Sequence, residues 1–325
     1  MISTSLARRA PRVWRLVAGA ALMAGLLVGC GGSTSQVDVF VPGRLLVFGD
    51  ELSVLTSDGH KFTVNTVNED SGALQCGSGL IWVQALAAHY QMVFSECNPD
   101  AVANPKAKML ATEGATVDEL GTQIRAFTSG DSIQGDDLAT VLIGMNDVLQ
   151  AYASYPAESE DVLIARMEDA GQRAAAQVND LAASGARVLV STMPDMGQTP
   201  FAKAESQDKG DIAAQVLTRL SSAFNRSLRL KLTNDGSKLG LLLLDDLVHS
   251  MVRVPAAYSL ANTDTAICDP LAPLPTCSND TLIPADSSPT PNVSTYMWAD
   301  ATRPGLPVHR SLGSQAVTRA SNNPF

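Results

Sequence analysis

The stretch "RLLVFGDELSVL", residues 44–55, decides how this chain is read. It opens as an apolar run and stops at Phe48-Gly49-Asp50, the pattern of a buried strand ending in a tight turn. Runs of the same kind recur: "MVFSEC" (92–97), "ATVLIGMND" (139–147), "ARVLVSTMPD" (186–195) and "GLLLLDDLV" (240–248). Their near-continuous hydrophobicity is that of strands covered on both faces, as in a parallel sheet. Between them, apolar residues at three- and four-residue intervals predict helices over 78–90, 117–127, 161–184 and 211–232. Gly185 and Gly236 stand beyond the last two, where terminators are expected. Strand and helix alternating in this way give an α/β fold, a three-layer open sheet, mostly parallel, with helices on both sides. Residues 262–295, rich in Pro, Ser, Thr and Asp, read as a long loop. In such sheets chemistry gathers at the carboxyl ends of the strands. Three of the expected strands end there in residues with chemical potential: Asp50-Glu51, Asn146-Asp147 and Pro194-Asp195.

The amino-terminal segment is of another kind. Arg8, Arg9, Arg12 and Arg15 precede an apolar run of 14 residues, "LVAGAALMAGLLVG". At 1.5 Å per residue such a run is too short for a bilayer core of about 30 Å. It reads as a signal peptide over residues 1–29. The sequence "LVGC" at its end resembles a bacterial lipobox, which makes Cys30 the lipidated residue and 30–42 a tether before a domain at 43–325. Gly31, not an aspartate, follows the cysteine, which by resemblance to lipoprotein sorting rules implies the outer membrane of a Gram-negative envelope. The expected partner is therefore a membrane, held through Cys30.

Removing residues 1–29 takes away four arginines and no acids, moving the formal charge from −10 to −14. With no basic run left, nucleic acid is excluded as a partner. Four cysteines remain, Cys76, Cys97, Cys268 and Cys277. An even number in an exported chain points to two disulfides, and Cys76–Cys97 with Cys268–Cys277 is the simplest of three connectivities. There is no CxxC and no histidine cluster, so no metal site is expected.

Several blocks, taken in order, resemble the GDSL (SGNH) lipase/esterase family. "VFGDELSV" is similar to its first block, "LATEGATVDEL" to its second, "VLIGMNDVL" to its third, GxND, and "YMWADATRPGLPVHRSLGSQAV" to its last. "STMPDMGQTPFA" and "AFNRSLRLKL" match weaker intermediate features. The resemblance implies acyl transfer without a cofactor. A serine in the first block attacks an ester, a glycine N–H and an asparagine amide hold the oxyanion, and an Asp–His pair supplies the base. Carried over by position, Gly114 and Asn146 match the oxyanion donors and Asp300 the aspartate. The serine position, however, is Glu51, and the histidine position is Arg303.

The resemblance places these two residues within reach of one another, so an ion pair is expected, with a bidentate geometry open to it and Asp300 as a second partner of Arg303. One Glu51 oxygen is expected in the oxyanion pocket, accepting from Gly114 and Asn146. Ser53 is expected to cap a turn or helix start, His309 to match the family's second, non-catalytic histidine, and Asp147 to cap the helix after its strand. His60, His89 and His249 stand without expected partners. Three functions follow: a silent relative that binds an ester or lipid-like ligand in the old cleft or serves structurally, an ester hydrolase with a rearranged site, or Glu51 acting as acid or base in other chemistry. A guanidinium neighbour favours the ionised form of a carboxylate, which weakens the last.

Overall fold

In the computed structural model the run at 44–49 is strand β1 (Arg44–Gly49), an inner strand of a five-stranded parallel sheet. The other strands are β2 (Ala107–Met109), β3 (Asp137–Leu142), β4 (Arg187–Ser191) and β5 (Leu239–Leu242), in the order β2-β1-β3-β4-β5. The structure describes Met1, residues 40–210 and residues 212–322, so the signal peptide, Cys30 and most of the tether lie outside the described residues. From residue 40 onward the described residues belong to one compact unit.

All six residues of β3 and five of the six of β1 are buried, as strands covered on both faces require. The covering helices are α1 (Trp82–His89), α2 (Val117–Gly130), α3 (Met145–Ala153), α4 (Glu160–Ala183), α5 (Pro200–Lys209), α6 (Ile212–Lys231), α7 (Leu244–Arg253) and α8 (Leu306–Ser321). Helix α4 packs along α6, and α1 along α8. Among the described residues no helix is long and apolar enough to cross a membrane.

From β1 the chain moves to β2 on one side, then crosses to β3 on the other and continues outward to β5. The carboxyl ends of β1 and β3 therefore flank the point where the winding reverses, the place where open α/β sheets form a crevice. Gly49 makes the exit from β1 possible. Its φ is +129°, and a Cβ there would lie 2.0 Å from the Leu142 carbonyl oxygen.

The departures from the expected elements have local causes. No strand spans 92–97. Met92 and Phe94 are buried in the core, Cys97 is tied to Cys76, and Phe94 makes only isolated bridges, one of them to Ala107. The strand beside β1 is instead the short edge strand β2, which periodicity does not reveal in three residues. The run 240–248 turns from strand to helix at Leu243, and 139–147 does the same at Ile143-Gly144. In α7, Leu244, Leu247, Val248 and Met251 are buried at helical spacing, so "LLLLDDLV" joins two periods in one apolar run. Helices α5 and α8 were not expected. The loop over 262–295 begins as strand β6 (Asn262–Ala266), which pairs in parallel with β7 (Tyr296–Trp298). Gly185 adopts φ +119° just past α4, whereas Gly236 lies five residues beyond the end of α6. The disulfides are Cys76–Cys97 and Cys268–Cys277.

The α4–α6 contact yields a test. A Cβ on Gly171 of α4 would lie 2.4 Å from the Phe224 carbonyl oxygen, a backbone atom that cannot swing away. Gly→Ala in a helix ordinarily gains up to about 1 kcal/mol, but overpacking costs about 1–3 kcal/mol. Gly171→Ala is therefore expected to lower the urea midpoint of unfolding; an unchanged or raised midpoint contradicts this packing.

Candidate active site

Glu51 opens a single 3₁₀ turn (Glu51–Ser53) directly after β1, and its side chain is 2% exposed. Its two oxygens face different partners. Oε2 accepts from the Gly114 backbone N–H at 3.0 Å and from Asn146 Nδ2 at 2.9 Å. Oε1 accepts from Arg303 Nε at 3.3 Å and Nη2 at 3.2 Å. The pair is thus not fork to fork: two guanidinium N–H groups share one oxygen, and the other oxygen lies on the two donors matched to the oxyanion position.

Each donor is fixed by its element. Gly114 lies between β2 and α2 with φ +73°, a left-handed conformation suited to glycine, and no atom within 4 Å of a Cβ there. Asn146 stands in the first turn of α3, and its amide also donates to the Ala115 carbonyl at 3.0 Å, tying the second block to the third. Arg303 lies between β7 and α8. Its Nη1 donates to Asp300 Oδ2 at 2.8 Å, its backbone N–H donates to Asp300 Oδ1 at 2.7 Å, and its guanidinium lies 5.3 Å from the Phe62 ring centroid. Burial works against the charge of Arg303, but Asp300 and Glu51 outweigh it and raise its pKa above the ordinary value. Glu113 reaches Arg303 Nη2 only at 4.0 Å.

Asp50 is completely buried. Burial, and then the adjacent Glu51, push its carboxyl well above the usual range. One oxygen accepts from Leu52 N–H at 3.1 Å, so Asp50 rather than Ser53 caps the turn. Ser53 is buried and its Oγ accepts from Trp82 Nε1 at 3.2 Å, a packing role. Asp147 accepts from Val117 N–H at 3.2–3.3 Å, so it caps the start of α2 and not its own helix. Burial raises its pKa to about 7.

His309 lies in the first turn of α8, 3% exposed, and neither ring nitrogen has a hydrogen-bond partner. Among the described residues no carboxylate orients it as a base. His60 meets Asp58 at 3.1 Å and His89 Nε2 meets Ser321 Oγ at 3.2 Å. His249, which the sequence left without a partner, lies on α7 with Nε2 at 2.7 Å from Asp195 Oδ2. Asp195 follows β4, so two neighbouring strand ends carry this second contact. It was hidden by the reading of 240–248 as strand. Among the described residues no group of His, Cys, Asp and Glu is arranged to hold a metal ion.

The arrangement offers an anion already seated on N–H donors, and among the described residues neither a hydroxyl nor an imidazole is hydrogen-bonded to it. Comparison with known proteins places it in context. The family model of the GDSL-like lipases/acylhydrolases matches residues 45–249. A phosphatidylcholine-sterol acyltransferase of Aeromonas hydrophila is 27% identical over 240 residues, 69% of this chain and 64% of that protein's length. Among solved structures, the acetylxylan esterase Axe2 of Geobacillus stearothermophilus superposes with a TM-score of 0.40 at 14% identity, covering 87% of this chain and 96% of that one. LAE5, an alpha/beta hydrolase from the metagenome of Lake Arreo, Spain, does so with a TM-score of 0.41 at 15% identity, covering 86% and 96%.

Two measurements check the geometry. Asn146→Ala removes a donor from both Glu51 and Ala115, and is expected to cost about 1–3 kcal/mol in unfolding free energy, the penalty for a buried acceptor left unpaired. For His309, burial first and Lys61 second lower the pKa to about 3, against about 6.5 unfolded. The unfolded chain then takes up a proton that the folded one refuses. This contribution is fully present above about pH 6.5 and is lost as pH falls towards about 3. From pH 7.5 to 5.5 the wild type is expected to lose about 1 kcal/mol more than His309→Leu; equal losses contradict a buried neutral imidazole.

Proposed function

The chain belongs to the GDSL-like lipase/acylhydrolase family, and we propose that it is a member whose ester hydrolysis is lost or strongly reduced. The observation that carries this is the Glu51 carboxylate on the Gly114 and Asn146 donors, locked there by Arg303. An oxyanion site contributes by meeting charge that develops in the transition state, and loss of one such donor costs on the order of 100- to 1000-fold. Here a charge is met before any substrate arrives, so the differential binding that accelerates a reaction is absent. A carboxylate is also a weak nucleophile towards ordinary esters.

On this reading the acyl transfer for which the Aeromonas hydrophila relative is named is not carried out by this chain. The protein is an envelope lipoprotein, anchored through Cys30 in an outer membrane, and its closed cleft serves binding of an ester or lipid-like ligand, or structure. The signal-like segment, the lipobox-like "LVGC" before the tether and Gly31 after the cysteine support that placement.

The test is an assay of the purified soluble domain on short-chain nitrophenyl esters, with a serine-directed fluorophosphonate as a second readout. The natural protein is expected to show neither turnover nor labelling. Glu51→Ser combined with Arg303→His is expected to gain both, while each single substitution stays weak, because it lacks either a base or a nucleophile. Turnover and serine labelling in the natural protein overturn the proposal.

A further inference from the structure

The sheet ends at β5, and a groove follows that edge away from the Glu51 site. One cavity of about 430 Å³ is lined by Leu230, Leu232, Leu239, Leu241, Arg229 and Arg319, among others. A second, of about 320 Å³, shares Leu241 and Arg319 with the first and continues along α8. The two lie within the size range of small-molecule sites, and the first has mixed walls, its leucines facing Arg229, Arg319 and the polar residues 233–235.

The two arginines arrive from opposite elements. Arg229, on α6, spends Nη2 on both oxygens of Asp245 at 2.6 Å each, leaving its Nε buried without an acceptor. Arg319, on α8, has no ion pair among the described residues, and its Nε is likewise buried without an acceptor. Its stem crosses the face of β5 at Gly240, where a Cβ would lie 3.0 Å from Arg319 Cγ and 3.4 Å from Nε. The glycine in the edge strand is what lets this side chain lie so close. Buried donors without acceptors are rare in folded proteins and call for an explanation. Both residues line one cavity, and Arg319 stands there without an ion pair among the described residues, in a chain whose net charge is −10 and where acidic partners are plentiful. The carboxylate at the rim, Asp235, is turned to Ser237, accepting from its N–H at 3.0 Å and its Oγ at 2.6 Å. Leu230 is 74% exposed beside this charge, a large apolar side chain left in water.

We propose that this groove binds an anionic amphiphile, a carboxylate or phosphate head on an aliphatic chain. The head takes the Nη groups of Arg319, which have no partner among the described residues, while Arg229, paired with Asp245, adds a second guanidinium to the wall. The chain lies along Leu230, Leu232 and Leu241. The charge complementarity selects the head and the leucines select the tail, and neither depends on the chemistry at Glu51.

The test is calorimetric titration of the full chain with dodecanoate and with dodecyl phosphate, both below their micellar concentrations, beside dodecanol and inorganic phosphate. Saturable one-to-one binding is expected for at least one of the two amphiphiles, and the tighter of them names the head group. Arg319→Gln, which keeps the stem, and Leu230→Asp, at an exposed position, are each expected to weaken it at least tenfold with unfolding midpoints unchanged. No saturable binding overturns the proposal, as does binding unaffected by both substitutions. Dodecanol binding as tightly as the amphiphiles removes the role of the charge, and inorganic phosphate binding as tightly removes the role of the tail; either also overturns it.

Discussion

A carboxylate with 2% exposure has to be met on every side, and Glu51 is met by four N–H donors from three distant parts of the chain. Taking an ion from water into a protein interior costs several kcal/mol even after relaxation, and the cost is offset only by good geometry and completed hydrogen bonds. Gly114 and Asn146 complete one oxygen, and Arg303, 252 residues away in sequence, completes the other. Arg303 is held in turn by Asp300 through both its side chain and its backbone. The segment between β7 and α8 is thereby pinned to the end of β1. This contact fixes the cleft more than it stabilises the fold as a whole, since a buried pair often adds little net stability while loss of one member is costly.

The position of this contact follows from topology. β1 and β3 flank the reversal of winding, so the turn after β1 and the start of α3 face each other across a crevice. N–H groups converge there whatever residue follows Asp50. A serine at that place would leave them for a substrate; a glutamate is long enough to reach them itself. The same backbone supports either outcome, and the chemistry turns on two side chains. Similarity to hydrolases over residues 45–249 is therefore compatible with a site that no longer turns over ester.

The sheet and its four main helices were legible because long apolar periods mark them: 161–184 and 211–232 match α4 and α6 to within a residue at each end. The elements without a clear period of their own are short or composite. β2 has three residues and two of them are half-exposed, and α7 hides behind four leucines that continue straight into it. That second miss also concealed the His249–Asp195 contact, since the histidine was placed beyond a strand instead of on a helix. The partners of Glu51 were readable from block order, because substitution at both the serine and the histidine positions left complementary charges. The division of its two oxygens was not, since hydrogen-bond geometry depends on side-chain conformations that spacing does not encode. The placing of Asp147 on the neighbouring helix α2 belongs to the same class.

The central claim is that Glu51 and Arg303 act as one unit, and a double-mutant cycle on unfolding free energy tests it most directly. Glu51→Ala, Arg303→Ala and the double substitution are compared with the natural chain by urea denaturation. A bound pair predicts a coupling of at least about 1 kcal/mol, with Arg303→Ala alone costing more than it does once Glu51 is gone. Additivity within about 0.5 kcal/mol, the behaviour of independent sites, would contradict the account.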